Sequence, residues 1–278
     1  MKTLPTLYLS HGSPMTAIEP GAAGAFLQRL GPAIDATFGR PRAVLALSAH
    51  TLTREPVLLA APRHEAVYDF YGFPDELYRL RYDAPGAPEV AARVQQLLQA
   101  AGLPVQRVDE GGLDHGIWTP MRWMYPDAQV PVLPLGFVPT WTPAQLHAWG
   151  QALAPLADEG VLIVGSGSIT HNLRLVFGPS RPPVDAPEID SSAAFRRWVA
   201  ERAAAADWLA LNDYRRQAPH AALMHPTDEH WLPWYPAGGA AGPAAAGVRL
   251  HDSVTFGCLG MDAYAFGAAA PQLAQALQ

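Results

Sequence analysis

The chain has 278 residues, 49% hydrophobic and 16% charged, with a formal net charge of −6 and a pI near 5.9. That balance excludes a basic surface built for nucleic acid or an anionic membrane, and the length allows one large α/β domain or two ordinary ones. A single cysteine, Cys258, excludes an intramolecular disulfide and fits a reducing compartment.

The start, "MKTLPTLYLSHG", has one basic residue and a short apolar run that soon turns polar, unlike a secretory signal. No stretch approaches the roughly 18 uninterrupted apolar residues of a membrane span. The expectation is a soluble, cytoplasmic protein. Lys2 is the only lysine, which we read as genome composition rather than function.

Short apolar runs alternate with longer amphipathic ones, as in α/β layers. "TLYLS" (6–10), "AVLALSA" (43–49), "VPVLPLGF" (130–137) and "GVLIVGSG" (160–167) have strand length and continuous apolarity, which suits strands buried on both faces. "PVLLAAP" (56–62) is a weaker strand, and 248–254 with 255–266 forms a final strand pair. Helices are predicted at 20–30, 87–101, 116–124, 143–157 and 190–210. Thr142 before Pro143 makes a good N-cap followed by a favoured first-turn proline. Segments 178–188 and 236–247 read as loops, the second because its Gly and Pro content prevents a long helix. Neither separates regions of different composition, so residues 1–278 read as one domain. Its fold class is α/β, with a central, mostly parallel mixed sheet flanked by helices.

Three histidines directly follow buried-strand signals: His11 after "LYLS", His50 after "LALSA" and His171 after "LIVGSGSIT". The carboxyl ends of strands in open α/β sheets face the ligand crevice. Burying three imidazoles there without a ligand or partners costs solvation, so the set points to a site. "GSGS" before His171 lacks the lysine of a phosphate loop and reads as close backbone packing. His115 lies in the tight "GGLDHGIWTPM", either a pocket loop or an Asx-type turn with an exposed histidine. His225 and His230 are five residues apart around Pro226, in a segment expected to be extended, so only one should reach a shared centre. His64, His147, His220 and His251 have polar or surface-helix surroundings and receive no role. Ser10, Ser13 and Ser48 neighbour the key histidines, with nothing to mark an activated nucleophile. The stretch "YDFYGFPDELYRLRYDAPG" (68–86) is a candidate wall for a flat substrate, or an aromatic-packed loop pinned on the core. Trp118, Met121, Trp123 and Met124 read as core packing.

Six blocks occur in order: "HGSPM" (11–15), "SAHTLT" (48–53), residues 68–86, "GLDHGIWTPMRWMYPDAQVPV" (112–132), "SGSITHNLR" (166–174) and "HPTDEHWLPW" (225–234). Together they resemble the 4,5-DOPA dioxygenase branch of the class III, LigB-like extradiol aromatic ring-opening dioxygenases. The resemblance covers essentially the whole chain. It implies one mononuclear non-haem metal at the strand ends, Fe(II) for turnover and Zn(II) possible as isolated. It further implies His11, His50 and His230 as metal ligands, His171 as acid/base, and His115 as a second pocket histidine that binds and polarises the substrate. Tyr71 and Phe73 fall in the block that would contact that substrate, a small catecholic aromatic cleaved with O₂. The wider class III pattern has a glutamate at the third ligand position. Glu229 immediately precedes His230, and in an extended segment the two would point to opposite sides, leaving one to coordinate; His230 is the choice. Tyr68 stands where the branch often carries histidine. Two other readings remain open at this level: a zinc-dependent hydrolase, and a non-catalytic LigB-like binding protein.

Overall fold

The computed structural model describes residues 2–103 and 105–278. Twelve strands appear in chain order: β1 (Thr6–Ser10), β2 (Ala43–Ser48), β3 (Val57–Leu59), β4 (Arg63–His64), β5 (Ala84–Pro85), β6 (Gln106–Val108), β7 (Val132–Gly136), β8 (Val161–Gly167), β9 (Gly247–His251), β10 (Val254–Thr255), β11 (Leu259–Gly260) and β12 (Ala263–Phe266). The helices are α1 (Gly21–Phe38), α2 (Pro88–Ala100), α3 (His115–Met124), α4 (Pro143–Gln151), α5 (Pro155–Asp158), α6 (Leu173–Phe177), α7 (Asp190–Ala204), α8 (Trp208–Asn212), α9 (Tyr214–Gln217), α10 (Ala221–Met224), α11 (Trp234–Ala240) and α12 (Ala270–Ala276).

Eight strands form one sheet in the order β6-β3-β7-β2-β8-β1-β12-β9. Its centre, β7-β2-β8-β1, is parallel, and antiparallel pairs flank it at β3–β7, β1–β12 and β12–β9. The expected α/β fold with a mostly parallel mixed sheet is therefore the observed one. The continuous apolar runs supply both faces, since successive strand residues point to opposite sides. Tyr8, Leu45, Leu135 and Ile163 pack with α2, α4, α7, α8 and α11 on one side. Leu7, Val44, Leu162 and Val164 pack with α1, α3 and α12 on the other. Each fully buried aliphatic side chain contributes roughly 1.5–3 kcal/mol.

The Thr142 cap forms as expected, with a capping box in which Gln145 answers Thr142. Three helices differ from expectation. The helix predicted at 20–30 continues to Phe38 through Pro32, because Ile34 and Phe38 extend its buried face and the missing proline donor is tolerated. The helix predicted at 143–157 breaks before Pro155, which opens a separate turn, α5. That predicted at 190–210 breaks at Ala206, which has φ +52°, before α8 resumes. Residues 236–240 of the loop expected at 236–247 belong to α11, a seven-residue helix buried throughout and packed on α4. Gly239 lets its backbone meet the His147 carbonyl of α4, Gly150 of α4 meets Pro236, and Gly238 makes room for the Trp208 ring, so composition that argues against a long helix here serves a short, tightly packed one. Among the described residues no helix is long and apolar enough to cross a membrane.

Candidate active site

Adjacent parallel strands β2, β8 and β1 end at the same sheet edge, and each hands over to a histidine there. His11 follows β1 directly, its N–H donating to the Gly167 carbonyl (3.0 Å). His50 stands two residues beyond β2. His171 stands four beyond β8, its N–H donating to the Met224 carbonyl (2.8 Å). His115 opens α3, and His230 arrives in a turn after α10. The His230 carbonyl accepts from the Tyr8 hydroxyl (2.8 Å) and the Ser168 N–H (3.0 Å), which pins that turn to the sheet. Gly167 permits the approach: a Cβ there would lie 2.0 Å from the His230 oxygen. Close backbone packing is thus the use of the "GSGS" run.

The five histidines singled out in the sequence converge. His11 Nε2 and His50 Nε2 are 3.2 Å apart. Ring centroids are 5.3 Å apart for His11 and His230, 5.0 Å for His50 and His230, and 4.1 Å for His50 and His115. His171 stacks on His230 at 3.5 Å with planes 7° apart. One ligand atom from each of His11, His50 and His230 lies within 4.8 Å of the others, as do sets from His50, Asp69 and His115 and from His171, Glu229 and His230.

The segment around Glu229 corrects an expectation. It is a turn rather than an extended stretch, with the N–H groups of Trp231 and Leu232 both donating to the Asp228 carbonyl. A turn does not send neighbouring side chains to opposite faces. The Glu229 carboxylate accordingly lies 3.5 Å from His230 Nδ1, on the crevice side. His225 behaves differently: its Nε2 donates to the Ile169 carbonyl (3.0 Å), away from the cluster.

The hydrogen-bond chain behind His11 fixes its tautomer. The Ser166 hydroxyl donates its one proton to the Gly116 carbonyl (2.5 Å), so it can only accept from His11 Nδ1 at 3.0 Å. His11 therefore carries its proton on Nδ1 and turns a bare Nε2 into the crevice. His50 Nδ1 faces the Asp69 carboxylate at 3.5 Å, which favours a proton on that nitrogen as well. Two bare imidazole nitrogens then face each other at 3.2 Å, an arrangement that a cation between them resolves. Tetrahedral metal–nitrogen bonds of roughly 2.0–2.1 Å place two ligand nitrogens about 3.3 Å apart, so this pair fits a metal. His230 Nδ1 is buried and makes no hydrogen bond, with the Glu229 carboxylate 3.5 Å away.

Burial keeps these rings neutral. It pushes His50 down to about 4, helped by His115, and His171 down to about 4. Burial and then the neighbouring histidines hold His11 and His230 well below the ordinary histidine value. Neutral imidazole is the metal-binding form. For Asp69, burial works upward, but the hydrogen bonds and charge of His115 prevail and keep its carboxyl below the ordinary range. The α3 N-terminus ties the site together. Asp114 accepts from the hydroxyls of Ser48 (2.6 Å) and Thr51 (2.5 Å), and Ser48 Oγ in turn accepts from the His50 N–H (3.2 Å).

Nothing in the sequence pattern marks Ser166, Thr51 or Asp114 for these roles. Asp69 has one signal only, its position inside the aromatic block beside Tyr68. Phe70 packs edge-on against His115 at 5.8 Å, and Phe73 packs on Phe70 at 5.3 Å. Tyr71, expected among the substrate contacts, is instead 92% exposed because the loop turns its ring outward. His115 is buried at the start of α3, not exposed in a turn. His64 and His147, expected near the surface, are also buried, His147 stacked on Trp208 at 4.1 Å. Trp118, Met121 and Met124 are core residues as expected.

Residues 5–267 match the family described as the catalytic LigB subunit of aromatic ring-opening dioxygenase. The chain is 38% identical over 265 residues to a 4,5-DOPA dioxygenase extradiol of Beta vulgaris, covering 94% of this chain and 96% of that protein. A protein of the same name from Escherichia coli K12 is 36% identical over 236 residues, covering 83% and 82%. The crystal structure of an uncharacterized Escherichia coli K12 protein superposes with a TM-score of 0.73 at 29% identity, over 95% of this chain and all of that one.

Proposed function

The chain belongs to the family of catalytic LigB subunits of aromatic ring-opening dioxygenases, and from that premise we propose that it is an extradiol dioxygenase opening the ring of a catechol-type, DOPA-like substrate with O₂. Residues 1–278 are read as one catalytic domain working in the cytoplasm. The observation that carries this reading is the convergence of His11, His50 and His230 at one sheet edge, with His115 and His171 beside them.

His11, His50 and His230 would hold one metal ion, Fe(II) for turnover, with Zn(II) able to occupy the same imidazoles. When bound, an Fe(II) ion would supply a Lewis acid for the catechol oxygens and a path for electrons from the catecholate to O₂. The remaining work falls to this chain's side chains. His171 is neutral at pH 7, since burial pushes it down to about 4, and stands against His230 ready to accept a hydroxyl proton. His115 presents its ring beside His50 and acts as the second hydrogen-bonding group on the substrate. Phe70 and Phe73 form an apolar wall suited to a flat ring. Tyr71, on the same loop, is exposed to solvent.

The test is anaerobic Fe(II) reconstitution of the purified protein, followed by oxygen-electrode measurement with a series of catechols and mass analysis of the product. Oxygen uptake with a ring-opened product carrying both oxygen atoms is expected. His171→Ala should cut turnover by about 10²–10⁴-fold at full metal content. His11→Ala should lose the metal itself. Ester or amide cleavage by the zinc form without O₂ would replace this reading with a hydrolase, and absence of metal and of uptake with every catechol would favour a binding protein.

A further inference from the structure

Asp69 touches two site histidines that come from other segments of the chain. Its Oδ1 accepts from the His115 backbone N–H at 3.0 Å, and its two oxygens lie 2.9 and 3.0 Å from His115 Nδ1. The same carboxylate sits 3.5 Å from His50 Nδ1. An ionised carboxylate only accepts, so a ring nitrogen bonded to it carries the proton. The other ring nitrogen is then bare.

We propose that Asp69 is a positioning residue that sets two tautomers at once, holding His115 and His50 with Nδ1–H toward its carboxylate and Nε2 free toward the crevice. The assignment rests on the dioxygenase reading for its consequence, though its geometry stands without it. For His50, the free Nε2 is the atom that faces His11 Nε2 at 3.2 Å. For His115, it is an acceptor for a substrate hydroxyl. The arrangement joins a metal-facing histidine to a substrate-facing one through a single group, so the two are oriented together. Partners of this kind behind a ligating histidine fix ring orientation and raise ligand basicity.

Substitution by asparagine separates this role from mere packing. Asp69→Asn preserves shape, and its Oδ1 can still accept from the His115 backbone N–H. Its Nδ2 then occupies the place of Oδ2, the oxygen that faces His50 Nδ1, and donates toward that nitrogen, while Oδ1 stays an acceptor for His115. The His50 ring is thereby pushed to the opposite tautomer, with Nε2–H in the crevice, and His115 keeps only one of its two acceptors. The readout is long-range ¹⁵N–¹H correlation NMR of the metal-free full-length protein, which distinguishes the two imidazole tautomers directly. Nδ1–H is expected for His115 and His50 in the natural protein, and Nε2–H for His50 in Asp69→Asn. With Fe(II) held saturating, kcat should fall on the order of 10²-fold with a much smaller change in KM. Metal affinity, measured by chelator competition, should fall about 10–100-fold. Asp69→Glu, which keeps an acceptor-only group, should recover the natural His50 tautomer.

A natural protein whose His115 carries its proton on Nε2 overturns the proposal without any variant. So does Asp69→Asn with an unchanged His50 tautomer, or with unchanged kcat at metal saturation. Absence of O₂ uptake by the natural protein would sink the dioxygenase reading alone, because the tautomer spectrum still decides what Asp69 does.

Discussion

The carbonyl oxygen of His230 occupies the space beside Gly167 that any larger residue would need, 2.0 Å from where a Cβ would stand. The contact is with backbone, which cannot swing aside as a side chain can. Gly167→Ala should therefore displace the His230 turn and cost about 1–3 kcal/mol in stability. Urea unfolding would measure the loss, and metal content after dialysis against a weak chelator should fall with it. Unchanged metal retention would show that the turn adapts without moving its histidine.

Ser166 offers a gentler probe of the same site. Its hydroxyl links His11 Nδ1 to the Gly116 carbonyl, and without it nothing in that chain dictates which His11 nitrogen is bare. Ser166→Ala should lower metal affinity by about 10–100-fold while the fold persists. Competitive titration against a chromogenic chelator is the measurement, and an affinity equal to that of the natural protein would refute the tautomer assignment.

Buried neutral histidines make the metal-free protein acid-sensitive. His225 is pushed down to about 3, chiefly by burial, and His147 to about 4 by burial. In the unfolded chain both titrate near 6.5, so below that pH the unfolded state binds protons that the folded state refuses. Stability is complete above about pH 6.5 and is lost as pH falls toward 4. Each such group costs up to about 1.4 kcal/mol per pH unit inside that window. Urea midpoints of the metal-free protein at pH 7, 6 and 5 should decline in that order, and flat midpoints would contradict the role given to burial.

Arg196 of α7 is buried against Asp262, the residue that precedes β12 and whose carbonyl accepts from the Ser10 N–H. It donates to Asp262, Glu188 and Asp252, and Asp262 has no exposed surface. Removing the guanidinium leaves that carboxylate buried beside a single longer contact to Arg249 (3.4 Å). Arg196→Met should cost about 3–5 kcal/mol. Denaturant unfolding checks it, and a loss below about 1 kcal/mol would mean that Arg249 takes over.

The sheet and its histidines are legible in the sequence because a continuous apolar run, and the residue that ends it, are local signals. Chain position alone puts His11, His50 and His171 at strand ends, and parallel pairing brings them together. The geometry of Glu229 and His230 is not legible in the same way. Pro226 suggests extension, whereas the Asp228 carbonyl closes a turn. Asp69 has no visible partner in the sequence, since its contact with His115 spans 46 residues. His64 and His147 show the same limit from the other side: polar neighbours in sequence do not report what packs above them. In α11, glycine content is a poor guide because close packing against α4 outweighs helix propensity.

The position of β1 in the sheet also sets a schedule for synthesis. Of the eight strands of this sheet it is made first, yet both its neighbours, β8 and β12, begin at residues 161 and 263. His230 and the strand that closes the far side of β1 both belong to the last quarter of the chain. A polypeptide still on the ribosome can thus hold His11, His50 and His115 without a frame to align them. On the proposed ligand set metal loading would be a late event, and a prematurely ended chain is left with an open sheet edge.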